Sequence, residues 1–149
     1  MRMKSIVKSQ LTGKWYLVAG TLNRYEKRFV EIMYYISMSC EDEADLLQVG
    51  VKNNGTKCLK KKSLNIVTEN DSCSLVVGKG LFKKTLKILT FDSNEGVLIL
   101  SNNNMKCISI LSKKMYVNHS DIEKYLTGIE FLNKEIKLYS NNIVSESEE

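Results

Sequence analysis

Proline is absent from this chain, and histidine and tryptophan occur only once each. Without proline, the turns have to be made by Gly, Asn, Asp and Ser. The single His119 narrows the possible chemistry, because a Ser-His-Asp or Cys-His arrangement would have to use it. The contiguous His119-Ser120-Asp121 is better explained by capping of a following helix than by a triad, which is assembled in space. Cys40, Cys58, Cys73 and Cys107 form no Cys-x-x-Cys pair and have no histidine nearby, so zinc-site spacing is missing. Their even number permits two disulfides if the protein is exported, and a reduced state is equally compatible. No phosphate-cradling glycine loop is present, and Gly78-Lys-Gly80 reads as a turn or bulge. No apolar run approaches the roughly 18 to 20 residues of a membrane-spanning helix. The expectation is a protein with no enzyme activity, metal or cofactor.

Lys and Arg exceed Asp and Glu, giving a net charge of +5. The lysines gather at Lys57 and Lys60–Lys62, then at Lys79, Lys83, Lys84 and Lys87. Such an excess suits anionic ligands or peripheral contact with membrane surfaces, while solvent-facing lysines on strands are the favoured explanation. Nucleic acid is not expected, because stacking aromatics are not interleaved with the lysines. Residues 1–10 are basic but lack the apolar core of a signal peptide. The chain therefore reads as cytoplasmic, or as periplasmic or secreted with its leader removed. Residues 1–10 form an N-terminal segment, 11–140 one domain, and 141–149 an acidic tail.

What the chain does contain is a succession of short runs with strand character, separated by turn residues. Trp15–Ala19, Phe29–Met38 and Leu46–Val51 come first. Asn53-Asn-Gly55 follows as the strongest hairpin signal in the chain. Cys58–Val67, Cys73–Val77, Thr85–Phe91, Val97–Leu100 and Lys106–Leu111 complete eight runs with hairpin-length connections. Strands joined this way pair antiparallel, and eight of them can close into an up-and-down β-barrel that removes exposed edges. The period then becomes helical through Ile122, Tyr125, Leu126, Ile129 and Phe131–Leu132, with Ser120-x-x-Glu123 as a capping box and Asn133 as the end. Ile136–Tyr139 alternates as a short ninth strand. The predicted fold is all-β: an eight-stranded antiparallel barrel with a C-terminal α-helix.

Gly13-Lys-Trp15-Tyr16, placed just before the first strand, resembles the opening motif of the lipocalin family. Arg24-Tyr-Glu-Lys27 and the final barrel strand Ile108-Ser-Ile-Leu-Ser-Lys113 extend the similarity, nearest the branch containing bacterial outer-membrane lipocalins and apolipoprotein D. It runs in order from about Leu11 to Tyr139. Lys113 stands where that family usually has an arginine covering the tryptophan, and no lipid-attachment cysteine lies near the amino terminus. The resemblance implies binding or transport of a small hydrophobic ligand inside the barrel. On physical grounds Trp15 can plug one end, with its indole N–H seeking an acceptor and Lys113 stacked on its face.

A ligand lumen requires inward apolar residues from several strands. Alternation selects Val30, Ile32, Tyr34 and Ile36, then Leu64 and Ile66, Leu86 and Ile88, Leu98 and Leu100, and Ile108 and Ile110. Lys60 and Lys62 share parity with Leu64 and Ile66. One of them near the mouth could pair a carboxylate or phosphate head group, whereas a strand end projecting into water, the favoured alternative, leaves both solvated. A second class of function remains open: a barrel filled by bulky residues such as Met33, Tyr34 and Tyr35, acting as a protein-interaction module without a small-molecule ligand. The oligomeric state is not legible.

Overall fold

Strands with one apolar face become stable only when those faces are buried against each other. The computed structural model describes residues 10–21, 28–39, 43–69, 72–102, 107–115, 117–127, 136–138 and 143–144. The strands are β1 (Gly13–Thr21), β2 (Glu31–Met38), β3 (Glu43–Val51), β4 (Lys57–Glu69), β5 (Ser72–Val77), β6 (Lys84–Asp92), β7 (Val97–Asn102) and β8 (Ile108–Ser112). Each pairs antiparallel with the next, and β1 pairs with β8 to close an eight-stranded barrel. The closing ladder runs from Tyr16 opposite Ser112 to Gly20 opposite Ser109. The Ile108 N–H extends this seam by donating to Thr21 Oγ1 at 3.2 Å.

The β3–β4 turn is built by its small polar residues. Gly55 adopts φ +88°, its N–H donates to the Lys52 carbonyl at 2.9 Å, and the Thr56 N–H donates to Asn54 Oδ1 at 3.0 Å. Elsewhere the ladder is interrupted by two bulges, at Leu17/Ala19 in β1 and at Ile88/Thr90 in β6. A bulge reverses the parity beyond it. Ile88 and, after the irregularity, Phe91 therefore both pack toward the interior cluster.

The barrel buries apolar residues on two sides of its wall. The interior cluster includes Trp15, Leu17, Phe29, Ile32, Leu64, Ile66 and Leu98. A second cluster, with Val18, Ile99, Ile108, Ile110 and Ile122, lies between β1, β7, β8 and the helix α1 (His119–Thr127). That helix begins at His119, which puts Ser120 in its first turn instead of at its cap, and Asp121 there suits the helix dipole. The expected continuation to Asn133 lies outside the described residues. Three short strands complete the chain: β9 (Val117–Asn118), β10 (Ile136–Leu138) and β11 (Ile143–Val144). The expected ninth strand is β10, which adds to β1 through Ala19–Thr21, while β11 runs parallel to β9.

One glycine is required by a close approach. A Cβ on Gly50 would lie 2.7 Å from the ring of Phe29, itself buried in the interior cluster. Gly50→Ala is therefore expected to destabilise the fold by about 1–3 kcal/mol through overpacking. The reading is a lowered urea midpoint at unchanged m-value.

Candidate functional site

Side chains from seven strands leave the middle of the barrel open. A cavity of about 890 Å³ is bounded on its apolar side by Ile36, Leu46, Leu64, Leu75, Leu98, Leu100 and Leu111. Tyr34, Gln48 and Ser101 add polar groups to its wall. Lys60, Lys62, Lys83 and Lys84 also line it, on the part of the barrel that carries the β3–β4 and β5–β6 connections. The cavity is thus greasy in its depth and cationic at its mouth. Lys62 is half-buried, and burial holds its ammonium below the ordinary lysine pKa, with Lys60 and Lys84 pushing in the same direction. A group with that penalty gains from any anion placed beside it.

The opposite end is sealed. Trp15 is fully buried, and its indole N–H donates to the Leu11 carbonyl at 2.8 Å. Phe91 packs against it with ring centroids 6.4 Å apart and planes tilted by 59°. Lys113 places Nζ 5.2 Å from the indole centroid and donates to the Thr12 carbonyl at 3.2 Å. The Lys113 N–H also donates to the Gly96 carbonyl at 2.9 Å. Gly96, at φ +70°, sits where an added Cβ would press on Lys113 Cβ at 3.1 Å. Gly13, two residues before the tryptophan, opens β1 with φ +118°.

This closed, hollow barrel superimposes on solved proteins of known architecture. Lobster apocrustacyanin A1 matches with a TM-score of 0.68 at 16% identity, covering 91% of this chain and 80% of its own. Insecticyanin from the tobacco hornworm Manduca sexta matches at 0.64 and 15% identity, covering 94% and 82%. The siderocalin Ex-FABP matches at 0.62 and 15% identity, covering 87% and 93%. The fold is that of the lipocalins. No family model matches the sequence, and no curated protein matches it significantly.

In this barrel, the residues selected by alternation separate into three groups. Tyr34, Ile36, Leu64, Leu86, Leu98 and Leu100 line the cavity, as do Lys60 and Lys62. Ile32, Ile66 and Ile88 belong to the interior packing without bordering the open space. Ile32 stands opposite Gly50, where the Phe29 ring packs. Val30, Ile108 and Ile110 do not face the lumen. Val30 precedes β2 and is 37% exposed, because the chain turns Phe29 inward in its place. Ile108 and Ile110 face outward under α1, and the inward residues of that strand are Ser109 and Leu111. The helix makes the outer face of β8 as apolar as its inner face, so alternation alone picks the wrong side.

Leu46, Gln48, Leu75, Val77, Lys83 and Lys84 were not anticipated as lining residues. Leu46, Gln48 and Leu75 follow by parity once Ile36 opposite Leu46 and Ile66 opposite Leu75 are known. Lys83 and Lys84 carried no such signal, because they leave a glycine-bounded turn. No disulfide joins Cys58, Cys73 and Cys107, and Cys40 lies outside the described residues. Among the described residues no cluster of His, Cys, Asp or Glu is arranged to hold a metal ion.

Proposed function

We propose that this protein binds and carries a small amphiphile, with an apolar tail in the barrel and an anionic head group, carboxylate or phosphate, among the mouth lysines. The observation that carries this reading is the cavity of about 890 Å³ whose aliphatic depth ends at Lys60, Lys62, Lys83 and Lys84. Its size falls in the range of small-molecule sites, about 300–1,000 Å³. A fatty acid or lysophospholipid meets both requirements: the tail gains about 0.8 kcal/mol per buried methylene, and the head group relieves the repulsion among the ammonium groups. The siderocalin Ex-FABP, described as functioning through dual ligand specificities, is a precedent for varied guests in this fold. The likeness of Gly13–Ala19 and Ile108–Lys113 to the bacterial and apolipoprotein D branch also supports an amphiphile. The open interior weighs against a filled barrel acting only through its surface.

The test is native mass spectrometry of the purified protein with lipid extraction, followed by titration of a fatty acid and its uncharged alcohol. The acid is expected to bind more tightly. Lys62→Gln should weaken the acid by about tenfold, the scale of one charge-assisted hydrogen bond, and leave the alcohol nearly unchanged. Equal affinity of the wild-type protein for acid and alcohol would remove the head-group assignment, and failure to bind either would remove the carrier. The same substitution should slightly raise the stability of the empty protein. The charged form of Lys62 is the penalised one. That penalty is fully present below the lowered folded pKa and fades as pH rises through it toward the unfolded value.

A further inference from the structure

Among the described residues, the most exposed large apolar side chains stand beside the mouth of the cavity. β5 and β6 are joined by a 3-10 turn, Gly80–Phe82, on which Leu81 is 98% exposed and Phe82 91% exposed. The turn is held in place. The Gly78 N–H donates to the Ser63 carbonyl at 2.9 Å, and Gly78 and Gly80 take φ +85° and +71°, which suit glycine. Lys79 precedes the apolar pair, and Lys83 and Lys84 follow it. A further exposed apolar residue, Leu59, lies on the outer face of strand β4, between Lys57 and Lys61.

The segments that carry these residues hold charge of one sign. Residues 52–68 and 72–91 contain no Asp or Glu, and they supply Lys52, Lys57, Lys60–Lys62, Lys79, Lys83, Lys84 and Lys87. An exposed Leu-Phe pair flanked on both sides by ammonium groups matches the cross-section of an anionic bilayer, with an apolar interior beneath negative head groups. Two tip side chains are too small a patch for a stable protein–protein interface, which needs about 1,000 Å² or more. A second copy of the chain would also bring like charges together.

We infer that the protein docks mouth-down on an anionic lipid membrane, with Leu81 and Phe82 entering the interface and the surrounding lysines contacting lipid head groups. The cavity then opens onto the surface where amphiphiles reside. Docking does not depend on what the cavity holds, and vesicle binding is measured without added ligand. The full chain is sedimented with phosphatidylcholine vesicles, with or without about one-third phosphatidylserine. Phe82→Trp serves as reporter, since the buried Trp15 contributes a constant background.

Binding is expected to the phosphatidylserine vesicles, with a blue shift of the reporter variant's emission and quenching by brominated acyl chains. L81S/F82S should weaken binding by at least about tenfold. K57Q/K79Q should weaken it by roughly tenfold to thirtyfold, about fivefold per lysine. Both pairs of substitutions are at exposed positions and should leave the circular dichroism spectrum unchanged. The inference is overturned by absence of vesicle binding, by binding that survives L81S/F82S undiminished, or by reporter emission that does not shift. A wild-type dimer that L81S/F82S dissociates would overturn it too, by assigning the tip to self-association.

Discussion

Trp15→Ala is expected to lower the unfolding free energy by about 3–5 kcal/mol, the range for deleting a buried aromatic. Domains of this size are stable by only about 5–15 kcal/mol, so the variant should lose a large share of its stability and unfold at a clearly lower urea concentration. Three losses coincide at the site. Packing against Phe91 disappears, the Leu11 carbonyl loses the indole N–H at 2.8 Å, and Lys113 loses the ring beneath its ammonium. Trp15→Phe retains part of the packing but not the hydrogen bond, and should fall between wild type and Ala. Lys113→Ala removes only the cation–π contact and one exposed hydrogen bond, and should cost about 0.5–1 kcal/mol. Far-UV circular dichroism in urea measures all three, because Trp15 is the only intrinsic tryptophan. A Trp15→Ala midpoint equal to wild type would show that the indole is not what closes this end.

A second large effect separates the two faces of the wall. Ile110→Ala should cost about 2–4 kcal/mol, because Ile110 is buried beneath α1 and the gap left there has little means of collapsing. Ligand affinity should not change, since the side chain points away from the lumen. Leu100→Ala should do the reverse. It borders an existing space, so less packing is lost, while a bound tail loses contacts and affinity falls by about tenfold. Denaturation midpoints and probe titrations on both variants give the answer. If Ile110→Ala weakened binding more than Leu100→Ala did, the assignment of faces on β7 and β8 would be wrong.

The barrel could be read from the chain because its signals were local and repeated. Asn53-Asn-Gly55 marked a turn that its hydrogen bonds now account for, and short apolar runs recurred at hairpin spacing around it. Inside and outside were harder to tell apart. On β2 and β4 the outer face is polar enough for parity to decide, and Tyr34, Ile36 and Leu64 line the cavity. On β8 the helix covers Ile108 and Ile110, so both faces are apolar and alternation carries no direction. Val30 failed for another reason: the strand starts at Glu31, two residues later than the run Phe29–Met38, and Phe29 occupies the interior against Gly50. The cationic mouth was half visible, in Lys60 and Lys62. Lys83 and Lys84 reach it only because the β5–β6 turn ends where it does, and no period encodes that.

The seam between β1 and β8 also governs how the polypeptide reaches this state. β1 is made first and acquires its second neighbour only when Ile108–Ser112 has emerged from the ribosome. A shorter nascent chain cannot close the barrel, and any sheet it forms keeps unpaired amides along both margins, the kind of edge that templates association. Pairing the first strand with the last strand of the barrel also raises the contact order, which slows folding. Soluble yield in a host cell should therefore respond to growth temperature and to chaperones that hold unfinished chains, more than to the equilibrium stability of the finished protein.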